Sequence, residues 1–235
     1  YKRQEQQAIV AAATDTTDNL LVSALAGAAK TSTLVLVAEA LPTTQILCLA
    51  FNKKIADEMN ERLPRNCTAM TLNSLGHRVW GDAIGRRLRI ESSKTFDLLT
   101  AALETSDDPL FKREVYEIFA DVVRTVDFGK ACGWIPDSFS HPMFKAKRLM
   151  DDTEFFEHID EHYSEEIQSL IVSISCKSLA MAFDGVCDYG DQILMPTVFH
   201  GAFPRYPLTL VDEAQDLSAL NHVLSLIHIS EPTRR

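Results

Sequence analysis

Apolar residues recur along this chain with two different periods, and their order outlines a fold. Leu20, Leu21, Val22 and Leu25 form a short uncharged run, as do Gln45 to Phe51 (QILCLAF), Cys67 to Thr71 and Pro207 to Val211 (PLTLV). Short apolar runs of this kind predict strands covered on both faces, as in a parallel sheet. Between them the spacing is helical. Glu5 to Ala13 is one such stretch, and Ser32 to Leu41 is another, stopped by Pro42. Asn52 to Leu63 carries Ile55 and Met59 on one face, and Thr71 to Gly76 opens a further helix with Thr71 or Asn73 as N-cap. The resulting order, α-β-α-β-α-β-α, predicts a doubly wound parallel sheet with helices on both faces. From about Gly85 the pattern turns helical throughout, over Ser93–Leu103, Pro109–Val126 and Glu165–Phe183. A loop punctuated by Gly and Pro, Asp127 to Pro142, interrupts it and contains Trp134.

The first apolar run leads into small residues and then into Lys30 and Thr31. Ala24 to Thr31 keeps the spacing of the Walker A loop, G-x-x-x-x-G-K-[ST], with Ala at both outer glycine positions. Backbone N–H groups must face phosphate oxygens there, which excludes bulky side chains, and the following helix offers its positive end to the anion. On this reading Ala26, Gly27, Ala28, Ala29, Lys30, Thr31 and Ser32 line the phosphates of ATP. Lys30 reaches the β- and γ-phosphates, and the Thr31 hydroxyl holds Mg²⁺. Ala29 stands where glycine is usual. A left-handed backbone at that position would cost an L-residue about 1–2 kcal/mol, and a helical one would cost little. An ordinary strand–helix turn shows the same local pattern.

The second motif decides between them. PLTLV runs into Asp212-Glu213-Ala214-Gln215-Asp216, an apolar strand ending in adjacent acids, as in a Walker B arrangement. Asp212 is the Mg²⁺ ligand in that arrangement, Glu213 the base that orients and deprotonates water, and Gln215 a sensor of the γ-phosphate. A single βαβαβ half would bring Thr31 and Asp212 much closer in sequence, so the helical stretch reads as an insertion. The expected division is 5–85 and 188–223 for the nucleotide-binding domain, with 86–187 as an inserted all-α subdomain. The class is therefore an α/β P-loop NTPase domain with a helical insert.

Other residues carry weaker signals. The Gln6 amide offers one acceptor and two donors, which suits the edge of adenine, although a plain surface glutamine reads the same way. Phe51, Asn52 and Lys53 follow a strand's carboxyl end, where α/β sheets place ligands, and an aromatic beside amide and ammonium groups can stack a base and hold a phosphate. A core Phe and solvated lysines fit equally well. Basic clusters at 86–89, 112–113 and 145–148 could touch a nucleic-acid backbone, but solvated helix faces are the commoner explanation. His158 and His162 are four apart on an expected helix but have no third metal ligand nearby.

Composition narrows the classes. The 235 residues suffice for one or two domains with a real core, and 46% hydrophobic with 24% charged residues is ordinary for a globular protein. A net charge of −10 argues against wholesale adhesion to nucleic acid but permits a local basic groove. No apolar run approaches the ~20 residues of a bilayer span, so no membrane partner is expected. The five scattered cysteines read as reduced thiols of a cytosolic protein. The ends look foreign. Tyr1 to Gln4 can be encoded by TATAAGAGACAG, whose reverse complement encodes the Leu-Ser-Leu-Ile found at Leu224 to Ile227. The tail LSLIHISEPTRR resembles a translated transposase sequencing adapter, so residues 1–4 and 224–235 are expected to be non-native.

In motif order the chain resembles the UvrD/Rep-type superfamily 1 DNA helicases. EQQAIV resembles the Q motif, ALAGAAKTST motif I, LAFNKKIADEM motif Ia, TLNSLG motif Ib and LVDEAQDLS motif II. The compact AFNKK form, together with DYGDQI at Asp188 to Ile193, looks closest to the phage and F-box-helicase-like branch. The resemblance implies two RecA-like domains with helical insertions, ATP with Mg²⁺ between them, and 3′→5′ movement on single-stranded DNA and single/double-strand junctions in replication, repair or recombination. It implies that Gln6 faces adenine and that Phe51, Asn52, Lys53, Thr71 and Asn73 fall on DNA-contacting positions. Asn73 replaces the usual histidine of motif Ib. It also implies a location in the cytoplasm of a bacterial or phage-infected cell, or in a eukaryotic nucleus. The expectation is of an N-terminal half lacking the second RecA-like domain and its arginine fingers. Such a half should bind nucleotide weakly and should neither hydrolyse ATP efficiently nor unwind DNA. The alternatives are the motor part of a helicase–nuclease, or a module that binds DNA or protein without turnover.

Overall fold

The computed structural model describes residues 2–24, 30–159, 162–218 and 220–221. The chain divides into two compact units. One holds the described residues up to Leu75 together with Phe203–Leu217, and the other holds Gly76–Ala202 with the short segment that begins at Ser218.

The first unit contains helices α1 (Lys2–Asp15), α2 (Lys30–Ala40) and α3 (Lys53–Arg62), with strands β1 (Ile46–Ala50) and β2 (Cys67–Thr71). Helix α4 (Leu72–Ile84) follows directly on β2. A later strand, Leu208–Val211, belongs to the same sheet and is β5 in chain order. The sheet is parallel, with order β2-β1-β5. All five residues of β1 are buried. Ile46, Cys48 and Ala50 pack against Ala38 of α2 and against Ala56 and Met59 of α3. Leu47 and Leu49, on the opposite face, are equally closed to solvent. This is why QILCLAF shows no polar alternation: both faces of the strand are covered.

The strand expected at Leu20 to Leu25 does not form over its described part. Leu20, Leu21 and Val22 lie outside any ladder, and Leu21 is 91% exposed. The described sheet places β2 and β5 on the two edges of β1, and residues 20–24 pair with none of the three strands. Leu25 and the small residues up to Ala29 lie outside the described residues, as does the chain from 222 onward.

The second unit contains β3 (Arg89–Ile90), α5 (Lys94–Thr105), α6 (Pro109–Glu117), α7 (Phe119–Cys132), α8 (Asp152–His158), α9 (Glu165–Phe183), β4 (Val186–Cys187) and α10 (Tyr189–Val198). Two expectations change here. The stretch read as one helix over Pro109–Val126 is two, broken at Ile118, and the second runs on to Cys132 through the start of the expected loop. Gly133 stops it with φ 81°, and its N–H reaches the carbonyls of Gly129 and Lys130. The core gathers Leu99, Leu103, Val115, Val122, Val126, Trp134, Phe155 and the isoleucines of α9. Helix α9 is long and apolar enough to cross a membrane by composition, and its Ile167, Ile171 and Ile174 serve this core. Trp134 stacks on Phe155 with centroids 4.0 Å apart and donates Nε1–H to Asp152 at 3.0 Å.

A buried quartet of charges joins α5, α7 and α10. Lys94 contacts Asp191 and donates to the Ser178 and Val186 carbonyls at 3.0 and 3.3 Å. Lys130 contacts Asp188 and lies 3.1 Å from Asp191. Asp188 and Asp191 form a reciprocal capping box at the start of α10. Burial pushes the Asp188 carboxyl up, but Lys130 and Lys94 outweigh it and hold it below the usual range.

Gly76 sits where α4 meets α10. A Cβ there would lie 1.9 Å from the Gln192 carbonyl oxygen, so no side chain fits without moving backbone. Gly76→Ala is expected to lower stability by about 1–3 kcal/mol, the usual range for overpacking. Denaturant unfolding against wild type measures it, and an unchanged midpoint would contradict the close approach.

Candidate functional site

Parallel strands put their carboxyl ends on one edge. Ala50 pairs with Thr71 and Leu49 with Val211, and the Asp212 N–H donates to the Leu49 carbonyl at 3.0 Å. Phe51, Asn52, Thr71, Asp212 and Glu213 therefore share one edge of the sheet, the edge at which α/β sheets hold ligands.

Lys30 is the first residue of α2, and Thr31 and Ser32 follow in its first turn, all three half-buried. Lys30 Nζ donates to Glu213 Oε2 at 2.5 Å, joining residues 183 apart in sequence. The same oxygen accepts from Gln215 Nε2 at 2.6 Å. The Lys30 and Glu213 side chains are 28% and 30% exposed. The hydrogen bond to Glu213 raises the Lys30 pKa above its ordinary value, against the opposing effect of burial. The bonds from Lys30 and then Gln215 hold Glu213 below the usual carboxylate range. In this state Glu213 is a weak base.

Asp212 is different. It is 7% exposed, and its carboxyl is pushed up first by burial and then by the neighbouring Glu213 charge. The Glu213 N–H, which donates to its Oδ1 at 3.1 Å, acts against both. A carboxylate disfavoured in this way is suited to a cation. Among the described residues no cluster of three or more His, Cys, Asp or Glu side chains forms a metal site. Glu213 itself adopts a left-handed backbone, φ 51° and ψ 46°, which is costly for a residue with a Cβ and typical of functional sites.

Gln6 lies on α1 and donates Nε2–H to Thr33 Oγ1 on α2 at 3.0 Å. It lines a groove of about 490 Å³ with Gln7, Val10, Ala11 and Leu36. The groove adjoins the helix whose first residue is Lys30. Ala26, Gly27, Ala28 and Ala29 lie outside the described residues, so the phosphate loop enters only through Lys30, Thr31 and Ser32.

The expected DNA-contacting residues also have local duties. Phe51 is 55% exposed at the end of β1. Asn52 caps α3 by accepting from the Ile55 N–H at 2.9 Å, and Lys53 is the exposed first residue of that helix. Thr71 accepts from the Ser74 N–H at 3.1 Å, as an N-cap should, and Asn73 lies half-buried in the first turn of α4.

The weaker candidates resolve locally. His158 bonds the Glu154 carbonyl of its own helix at 2.9 Å, and His162 lies beyond the helix end, so the expected shared face is absent. Arg86, Arg89 and Arg113 pair with Asp184, Glu91 and Glu117. Arg148 pairs with Asp137 and bonds three carbonyls of the preceding loop. All five cysteines are free thiols, and burial pushes Cys48 and Cys187 up to about 12.

A parallel sheet flanked by helices, with a helix-initial lysine facing a strand-terminal acid pair, defines an α/β P-loop domain of the RecA-like type. The chain belongs to the AAA domain family, whose model matches residues 6–233. It is similar to F-box DNA helicase protein 1 of Schizosaccharomyces pombe (strain 972 / ATCC 24843), with 26% identity over 231 residues. That match takes in 91% of this chain and 25% of the relative, so the chain spans about a quarter of the relative's length.

Proposed function

We propose that this chain is the first motor domain of an ATP-driven translocase or DNA helicase of the UvrD/Rep type, moving 3′→5′ on single-stranded DNA. The observation that carries the reading is the contact between Lys30 and Glu213 at the carboxyl edge, with Asp212 beside it. The family match and the helicase relative support a helicase-like P-loop NTPase. Residues 5–85 and 188–223 are the nucleotide-binding part in this reading and 86–187 the insert, while the compact units of the fold divide at Leu75 and Ala202. Gln6 and the α1–α2 groove take adenine. Lys30, with the start of α2, takes the phosphates. Thr31 and Asp212 hold Mg²⁺, which supplies charge neutralisation on the phosphates. Glu213 accepts the proton of the attacking water, and Gln215 orients that carboxylate. A second RecA-like domain supplies the arginine that stabilises the transition state, an interaction worth about 10³–10⁵ in rate.

Phe51 supplies a stacking face for a base, and Asn52, Lys53, Thr71 and Asn73 stand beside it to position the strand's backbone. Replacing a stacking aromatic costs about 1–3 kcal/mol per base. Phe51→Ala should therefore weaken binding of a labelled oligo(dT) roughly 5- to 150-fold in fluorescence anisotropy. Equal affinity of wild type and F51A would remove Phe51 from the DNA path, and no binding at low salt would remove the DNA reading.

A further inference from the structure

Three aromatic rings are linked on the surface of the helical unit. Phe119, half-buried at the start of α7, packs against the apolar core. Phe96 of α5 meets it edge-on with centroids 5.0 Å apart, and Tyr116 of α6 stacks on it at 6.3 Å with 11° between the planes. These two outer rings face water, with Phe96 53% exposed and Tyr116 56%. The ring they share is anchored in the core, so the exposed apolar surface is held in place before anything binds it, which lowers the cost of docking. Exposed aromatic surface of this kind marks interaction sites, and aromatic anchors carry much of their binding energy.

Charge decides what covers it. Residues 76–202 carry 22 Asp and Glu against 13 Lys and Arg. The imbalance persists around the rings. Residues 94–132 hold eight acids and five bases, and two of those bases, Lys94 and Lys130, lie inside the buried quartet. Arg113 and Arg124 pair with Glu117 and Asp121 of their own helices, while Asp97, next to Phe96, faces water. A DNA strand or a second copy of this chain would meet its own sign of charge here. We propose that the face formed by Phe96, Phe119 and Tyr116 docks a basic amphipathic segment of a partner protein, its apolar side chains on the rings and its Lys and Arg side chains among the carboxylates around them. A cation over the Phe96 or Tyr116 ring is attracted by the ring and by the acids together. The docking face does not depend on the nucleotide reading.

The test is fluorescence anisotropy of a labelled helical Arg/Leu peptide in amphipathic order, titrated with the 235-residue chain, with a Glu/Leu peptide of the same pattern as control. Wild type should bind the Arg/Leu peptide at least about tenfold more tightly than the Glu/Leu peptide, and Phe96→Ser with Tyr116→Ser should lose about tenfold or more. Tyr116→Ser alone leaves the Phe96–Phe119 contact and should lose about threefold, a readout that stands if the double variant unfolds. Phe128→Ser removes a ring that is 46% exposed and lies outside this face, and it should stay within about twofold of wild type. Equal affinity for the two peptides, no binding, or wild-type affinity in the Tyr116 and double variants overturns the proposal. So does sedimentation of wild type as a dimer that the double variant abolishes, which would give the face to a second copy.

Discussion

Lys94→Ala will destabilise the helical unit by about 3–5 kcal/mol, the usual cost of removing one partner from a buried ion pair. The Lys94 and Asp191 side chains are both fully closed to solvent. With Lys94 gone, Asp188 and Asp191 share Lys130 alone, and the Ser178 and Val186 carbonyls lose a donor. An unpaired charge in that position has no water to turn to. The double variant Lys94→Met with Asp191→Leu should recover part of the loss, because well-packed apolar replacements of buried pairs are often neutral. Recovery stays partial because Asp191 also bonds the Asp188 N–H at the start of α10. Denaturant unfolding measures both, with Lys112→Ala as a surface control expected within about 0.5 kcal/mol of wild type. A loss below 1 kcal/mol in Lys94→Ala would mean that water reaches the quartet.

Lys30→Ala will weaken Mg·nucleotide binding roughly 10- to 150-fold, the equivalent of one hydrogen bond between charged groups. The loss has two sources. The phosphates lose a donor, and Glu213 is left beside them without its counter-charge. Lys30→Arg should not restore affinity, since a planar fork does not replace a compact ammonium at the start of α2. Calorimetry or a displacement titration gives the ratio. A change of less than threefold would separate Lys30 from the phosphates.

Much of this was legible in the sequence, and the reasons differ by element. The strands 45–51, 67–71 and 207–211 were readable as short uncharged runs, but full coverage explains only the central one, β1, since β2 and β5 are half-buried outer strands of the described sheet. The same test misread Leu20 to Val22. Apolar composition marks a segment that can pair, but the described part of this one joins no ladder. The break at Ile118 was invisible because Pro109 to Val126 keeps helical spacing through it. The extension of α7 to Cys132 was hidden by Gly129, which reads as loop. A Cβ on that glycine would lie 2.6 Å from Trp134 Cε3, a packing requirement that no local pattern shows.

At the site, residue types and their order were legible, and the pairing was not. Lys30 and Glu213 stood in separate motifs with separate expected duties. Their contact follows from the parallel register that sets Asp212 beside Leu49. The buried quartet was likewise beyond reach, since its members come from Lys94, Lys130 and the DYGDQI stretch, and each alone reads as a surface charge. Asn52 and Thr71 illustrate the converse. Both were noted for DNA contact, and both also cap helices, a duty the sequence offered for Thr71 and the backbone geometry adds for Asn52.

The most direct test of the account is a thermal melt of the wild-type chain with and without Mg·ADP, with Lys30→Ala in parallel. Ligand at a hundredfold excess over Kd should stabilise wild type by about 2.7 kcal/mol, with the shift growing as ligand is added and nearly absent in Lys30→Ala at the same concentrations. If wild type and Lys30→Ala melt together at every nucleotide concentration up to the millimolar range, the edge formed by Lys30, Asp212 and Glu213 is not a nucleotide site, and the motor reading falls with it.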